Sequence, residues 1–289
     1  MPPMAYLDHV QHCNHRDMTH FRRFIVGGRA VGWVRDDKAA ALDGLHPALR
    51  MAEDAVVLTL ADDTPEARSA VMAEVVTGLV QAGALPRERQ ELYAVKASWA
   101  GPEIMRIDRA AISVFGLKAF GVHMNGFVRK SDGSLHLWVG RRAPDKAVAP
   151  DKFDNIVAGG QPAGLTLFDN LLKEAAEEAD IPPPLARRAV PVGAITYCFD
   201  GRHGLKPDTM FCYDLELPED FVPVNTDGEL SGFTLWPVED VLAAVRDTDD
   251  FKFNVNLVIL DFAIRHGLLT PDDEPEYEAL LLGLRQPHP

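Results

Sequence analysis

Glu174, Glu177 and Glu178 stand at i, i+3 and i+4. A helix would bring all three carboxylates to one face. Three crowded like charges repel and raise each other's pKa. A hard divalent cation such as Mg²⁺, with Mn²⁺ as a substitute, relieves that repulsion by taking carboxylate oxygens as ligands. Gly159 and Gly160 come before the helix, and a glycine turn there would let a second backbone or a phosphate approach closely. Glu-rich helix faces are more often plain solvated surface. The nearby glycines and the spacing set this one apart. Arg141 and Arg142 are a second candidate feature. They close an apolar run, where two guanidinium forks suit a diphosphate and a solvated strand end fits equally well. His9, His12, His15 and His20 crowd the start of the chain, but their spacing matches neither a helical metal pair nor a zinc finger.

The elements that must position these groups follow from local pattern. FRRFIVGGRAVGWVR over 21–35 reads as two strands about a Gly27-Gly28 hairpin turn. Asp36 or Asp37 can cap a helix through Leu42. AVVLTL over 55–60 is a buried strand. Thr64-Pro65 starts a helix that runs to Ala82 and stops at Gly83. LYAVKA is a further strand. GVHMNGFVR over 121–129 and LHLWVGRR over 135–142 pair across an Asp132-Gly133 turn. The acidic helix then carries an apolar stripe of Phe168, Leu172, Ala175, Ala176 and Ala179, and ends at Pro182-Pro183-Pro184. Strands at 190–199, 209–217 and 233–236 follow. A helix over 237–245 buries Val238, Val241, Leu242 and Val245, and another over 254–266 closes at Gly267. A short helix over 276–284 ends the pattern. The expected division is an α/β N-terminal domain over 1–115, a second α/β domain over 116–270 with its mixed sheet held between helices, and a tail over 271–289.

The 289 residues carry a formal net charge of −14, with 47% hydrophobic and 25% charged residues. This is an ordinary globular balance. The acidic excess argues against a nucleic-acid backbone or an anionic membrane as partner, because both need a basic surface. A small phosphorylated substrate stays compatible, since a local basic pocket and a metal offset the global field. Cys13, Cys198 and Cys212 form no CxxC pair, so neither a disulfide framework nor a zinc site is indicated. Cys198 and Cys212 could face each other across a hairpin, but two small apolar sheet residues are the simpler reading. No apolar stretch approaches the ~20 residues of a membrane span. The start lacks the features of a secretory signal, so a reduced, cytoplasmic setting is the expectation. An exposed edge of the N-terminal sheet could pair with a second copy.

The segment Gly159–Ile181 resembles the Nudix box, G-x5-E-x7-R-E-U-x-E-E-x-G-U, where U is a bulky apolar residue. Gly159, Glu174, Glu177, Glu178 and Ile181 match the pattern. Leu165, Lys173, Ala175 and Asp180 depart from it. The likeness continues through FGVHMNGFV, GRRAPDK, DKFDNIVAGG, KEAAEEADIP, DGELSGFTLWPVEDV and FKFNVNLVILDFAIRHGLL. It is similar to a Nudix subfamily with an extra N-terminal domain, which includes plant Nudix proteins and the Nudix half of some fungal thiamine pyrophosphokinases.

The resemblance implies a Nudix α/β/α sandwich and Mg²⁺-dependent hydrolysis of a diphosphate linked to an organic moiety. Some members act on damaged thiamine diphosphates, releasing the monophosphate and phosphate. ADP-ribose or another nucleoside diphosphate derivative is the alternative substrate. A non-catalytic ligand-binding module is the alternative class, which the missing early Glu at Leu165 favours and the three retained Glu residues oppose. By the same implication Glu174, Glu177, Glu178 and a backbone oxygen near Gly159 hold metal. Glu178 or Glu229 deprotonates the attacking water. Arg141, Arg142, Lys146 and Lys152 meet substrate phosphate, and Asn125 and Asp154 meet the organic moiety. Phe251, Lys252 and Asn254 also match the subfamily, and a packing role at a helix start serves them as well.

Overall fold

The computed structural model describes residues 5–289. Helix α1 (Tyr6–Asn14) comes first. Strands β1 (Phe21–Val26) and β2 (Arg29–Arg35) form the expected hairpin. Gly27 and Gly28 take φ of 55° and 74°, a left-handed pair that suits the strand twist and that L-residues resist. Helix α2 (Asp36–Leu42) follows. Its N-cap position is Arg35, and Asp36 and Asp37 lie inside the first turn, where carboxylates favour the helix dipole. Strands β3 (Leu49–Met51) and β4 (Ala55–Leu58) complete a four-stranded sheet of order β2-β1-β4-β3. Helix α3 (Pro65–Gln81) starts as its sequence directs, with the Thr64 hydroxyl accepting from the Ala67 N–H. Strands β5 (Leu92–Val95) and β6 (Met105–Asp108) make a separate antiparallel ribbon. Met72, Val75, Val76 and Leu79 of α3, Phe24 and Val56 of the sheet, and Tyr93, Val95 and Ile107 of the ribbon share one core.

The second sheet is built from β7 (Ala119–Arg129), β8 (Leu135–Arg142), β9 (Phe153–Asp154) and β10 (Val157–Gly160). Helices α4 (Leu167–Ala179) and α5 (Pro183–Ala186) come next, then β11 (Val190–Gly201), β12 (Gly204–Glu216) and β13 (Leu230–Pro237). Strand order is β11-β12-β7-β8-β13, with β10 paired on β7 and β9 on β8. The β12–β7 pair is parallel and the others are antiparallel, so the sheet is mixed. Leu171, Ala175 and Ala179 of α4 bury against one face with Val122, Met124 and Leu215. The other face packs on α6 (Val238–Asp247) and α7 (Val255–Arg265), through Val241, Val245, Leu257 and Phe262. Helix α8 (Tyr277–Gly283) ends the chain's regular structure. The result is an α/β/α sandwich.

Helix α1 joins this second core. Tyr6, Val10 and Cys13 bury with residues of α6, α7 and α8. The His9 ring donates to the Val245 carbonyl at 2.6 Å and accepts from the Asn256 amide at 2.9 Å. Helix α1 is thus tied to the sandwich. Cys198 lies opposite Pro207, and Cys212 opposite Gly193, so the two thiols do not face each other. Among the described residues no helix is long and apolar enough to cross a membrane.

Candidate active site

Thr166 caps α4 through its hydroxyl, which accepts from the Asp169 N–H at 3.1 Å. The helix ends at Asp180 with φ of 50°. Asp tolerates this left-handed cap better than most L-residues, which accounts for Asp where the box pattern carries Gly. The three Glu residues do not share one environment. Glu178 falls on the buried face and is 6% exposed, while Ala176 of the expected apolar stripe is exposed. The Glu178 carboxylate accepts the Ala158 N–H at 2.7 Å. Burial, reinforced by Glu174, Asp154 and Glu229, pushes its pKa well up. Burial likewise raises Glu174. Glu177 is about half exposed.

The glycine pair is not a turn. It is the end of β10, with Gly159 opposite Val122 and Gly160 opposite Gly121. The backbone continues extended because β7 offers a free ladder there. The glycines serve close approach instead. A Cβ on Gly159 would overlap the Glu174 carboxylate, and a Cβ on Gly160 would overlap the Tyr93 hydroxyl. Gly159 therefore lets α4 bring Glu174 down onto the strand. Gly160 lets the N-terminal ribbon close against it. Backbone bonds tie the same seam, since the Ala163 N–H donates to the Leu92 carbonyl at 2.8 Å.

These contacts frame an open cleft of about 510 Å³, lined from both the β5–β6 ribbon and the second sheet. Arg89, Glu91, Tyr93 and Arg109 line one wall, and His123, Arg142, Lys146, Gly159, Glu229 and Lys252 line another. Tyr197, Asp208, Phe253 and Asn254 line it too. There the Tyr197 hydroxyl donates to Asp208 at 2.8 Å. Asn254 is 6% exposed, and its side-chain oxygen has no hydrogen-bond partner among the described residues. A buried unpartnered carbonyl is costly and invites a donor. Burial lowers His123 to about 4, so its ring stays neutral across the physiological range.

Of the sequence-predicted phosphate contacts, Lys146 and Arg142 reach the cleft and Arg141 and Lys152 do not line it. Lys146 pairs with Glu229 at 2.9 Å. The Arg142 guanidinium donates to Asp154 at 2.7 Å and to the carbonyls of Val148 and Ala149. Lys152 pairs with Asp249 at 3.1 Å, and Arg141 lies over the Phe153 ring at 5.3 Å. Asn125 and Asp154 are buried. Asn125 donates to Asp214 at 3.0 Å and accepts from Asn155 at 3.1 Å. Asp154 holds Arg142 and Lys252. Sequence reasoning did not single out Tyr93, Arg109, His123, Tyr197 or Asp208. The one local signal was Gly160, since a bare Cα in a strand implies that something presses on it.

Among the described residues no group of three His, Cys, Asp or Glu side chains lies close enough together to hold a metal as placed. Lys173 supplies the positive charge instead, at 3.2 Å from Glu174 and 2.6 Å from Glu177. The donor set still fits a hard divalent cation. It offers carboxylate oxygens from one helix beside a strand stripped of Cβ atoms, and two of its members have raised pKa values that a cation would relieve.

The Gly160 contact gives a direct prediction. Gly160→Ala should cost about 1–3 kcal/mol, the usual penalty of overpacking, because Tyr93 must move. In a Tyr93→Ala background the same change should cost little. Thermal denaturation of the four-member cycle checks this, and equal penalties in both backgrounds would show that the seam does not press there.

Comparison with known proteins completes the picture. Residues 5–119 match the family described as a domain of unknown function, DUF4743. The chain is 40% identical over 285 residues to Nudix hydrolase 24, chloroplastic, of Arabidopsis thaliana, covering 97% of this chain and 78% of that protein. It is 38% identical over 279 residues to Nudix hydrolase 20, chloroplastic, of the same plant, covering 93% and 74%. Among solved structures, the Deinococcus radiodurans protein DR0079 aligns with a TM-score of 0.46 at 20% identity, over 59% of this chain and 98% of that one.

Proposed function

We propose that this chain, which belongs to the Nudix hydrolase family, cleaves a diphosphate linked to an organic moiety in a Mg²⁺-dependent reaction. The observation that carries this is the meeting of Glu174 with Gly159 at the edge of a cation-flanked cleft. Glu174, Glu177 and Glu178 would hold Mg²⁺, which when bound offsets charge on the diphosphate and acidifies water. Lys146 and Arg142 place positive charge along the cleft wall, where phosphate oxygens need it. Glu229 lines the cleft, whereas the Glu178 carboxylate is buried and already accepts the Ala158 N–H. That placement favours Glu229 as acceptor of the water proton. Asp208 lines the cleft, and its carboxylate suits a ring that presents hydrogen-bond donors. A thiamine-type diphosphate, damaged or intact, meets that requirement.

The test is release of phosphate and monophosphate from oxythiamine diphosphate, thiamine diphosphate, ADP-ribose and 8-oxo-dGDP, with Mg²⁺ and with chelator. Mg²⁺-dependent cleavage with a thiamine-type diphosphate preferred supports the full reading. Preference for ADP-ribose keeps the chemistry and replaces the substrate. Ligand binding without turnover of any of them would overturn the hydrolase reading.

A further inference from the structure

The N-terminal domain contributes two arginines to the cleft, and a single carboxylate sets them both. Asp108 is 8% exposed and closes β6. Its oxygens accept the Arg89 N–H at 3.0 and 3.1 Å, the Gln90 N–H at 2.8 Å and the Ala110 N–H at 2.8 Å. Gln90 adopts φ of 58°, a strained conformation for a non-glycine residue that these bonds maintain. One buried side chain thus pins both the turn carrying Arg89 and the short 3-10 turn carrying Arg109. The Arg109 backbone N–H donates to the Glu91 carbonyl at 2.9 Å. Its guanidinium donates to the Glu91 carboxylate at 2.8 Å, through one of the five N–H groups it has. Among the described residues the remainder of the fork has no partner, and Arg109 lines the cleft. Burial works against this charge, but Tyr93, Glu91 and Glu229 more than offset it.

We propose that Arg109, assisted by Arg89, is the anchor for a substrate phosphate, and that Asp108 positions both. The N-terminal domain would then be a working wall of the active site, closed onto the box strand where Gly160 admits Tyr93. This rests on the cleft being the diphosphate site. It differs from the sequence expectation by moving phosphate recognition across the domain seam. The ligand chemistry is a phosphate or diphosphate group bound through a guanidinium fork, and the α4 carboxylates would hold the divalent cation that offsets its charge.

Two measurements on the full chain test it. The first is calorimetric binding of inorganic pyrophosphate in chelator. The second is kcat and KM on whichever diphosphate the wild type turns over with Mg²⁺. Arg109→Ala should weaken pyrophosphate binding and raise KM by ~10-fold or more, the usual effect of losing charge-assisted hydrogen bonds, with kcat changed much less. Arg109→Lys should recover only part of the loss, because the charge returns without the fork. Asp108→Asn should mimic the defect without touching ligand, and its thermal midpoint separates mispositioning from unfolding. Lys130→Ala, a surface control paired with Glu219 at 2.8 Å, should change neither quantity. Unchanged KM and unchanged pyrophosphate affinity in Arg109→Ala would overturn the proposal. Arginine-dependent pyrophosphate binding by a chain that hydrolyses nothing would support the anchor while removing the hydrolase reading.

Discussion

Glu178→Gln is expected to lower kcat by at least ~100-fold while leaving the fold intact. Glu178 is the member of the acidic trio whose charge has least access to water, at 6% exposure. Glutamine keeps its volume and an oxygen for the Ala158 N–H, so packing is conserved and only charge is removed. Burial first, then Glu174, Asp154 and Glu229, raises the Glu178 pKa above the ordinary 4.5. A carboxyl with a raised folded-state pKa adds stability below its unfolded value and loses it as pH rises through the folded one. In chelator, the wild-type thermal midpoint should therefore fall between acid and neutral pH more than that of Glu178→Gln. At neutral pH the variant should melt at the same temperature or higher. Glu177→Gln should also reduce turnover by at least ~100-fold. It carries no such stability gain, since Glu177 is about half exposed and already held by Lys173. Metal-titrated kinetics with parallel melting curves decide both points. An unchanged kcat in either variant would remove that Glu from the metal site.

The fold was legible where the signal is local. The Gly27-Gly28 hairpin, the Thr64-Pro65 helix start, the β8 limits at Leu135 and Arg142 and the stripe Val238, Val241, Leu242, Val245 all follow from periodicity, turn chemistry or capping within a dozen residues. The site was legible only on its own helix. Glu174, Glu177 and Glu178 announce themselves by spacing, but which of them is buried depends on the rotation of α4 against Val122 and Val157. Gly159 and Gly160 drew attention as glycines, yet a turn and a Cβ-free strand look alike in sequence. The strand reading needs β7 beside it and Glu174 and Tyr93 above it. Arg109 and Tyr93 were not legible. The chain around them reads as part of a domain over 1–115, and Tyr93 does pack with α3 and the first sheet. Their place in the cleft arises from chain segments distant in sequence, which no local pattern encodes. The surroundings of Asp154 were hidden for a related reason. The resemblance implied a contact with the organic moiety, and the structure places Asp154 at the end of β9 with two cations around it, one of them at Lys252.

Asp154→Ala should destabilise the chain by about 3–5 kcal/mol, the usual cost of removing one partner from a buried ion pair. Asp154 is 3% exposed, and the Arg142 and Lys252 side chains are 10% and 15% exposed. Its loss leaves two cations in a poorly solvated site with nothing to neutralise them. Arg142 also holds the carbonyls of Val148 and Ala149, so the loop bearing Lys146 should loosen with it. Asp154→Asn, which keeps an acceptor but no charge, should fall between. Burial pushes the Asp154 pKa up, but Lys252 and Arg142 outweigh it and hold the carboxyl below the ordinary 3.8. A depressed carboxyl contributes stability above its unfolded pKa and loses it as pH falls through the folded one. The gap in urea midpoint between wild type and Asp154→Ala should therefore be full at neutral pH and narrow under strong acid. A substrate-reading role predicts the reverse pattern, an unchanged midpoint with a raised KM. The two outcomes separate a residue that builds the cleft wall from one that touches what the cleft binds.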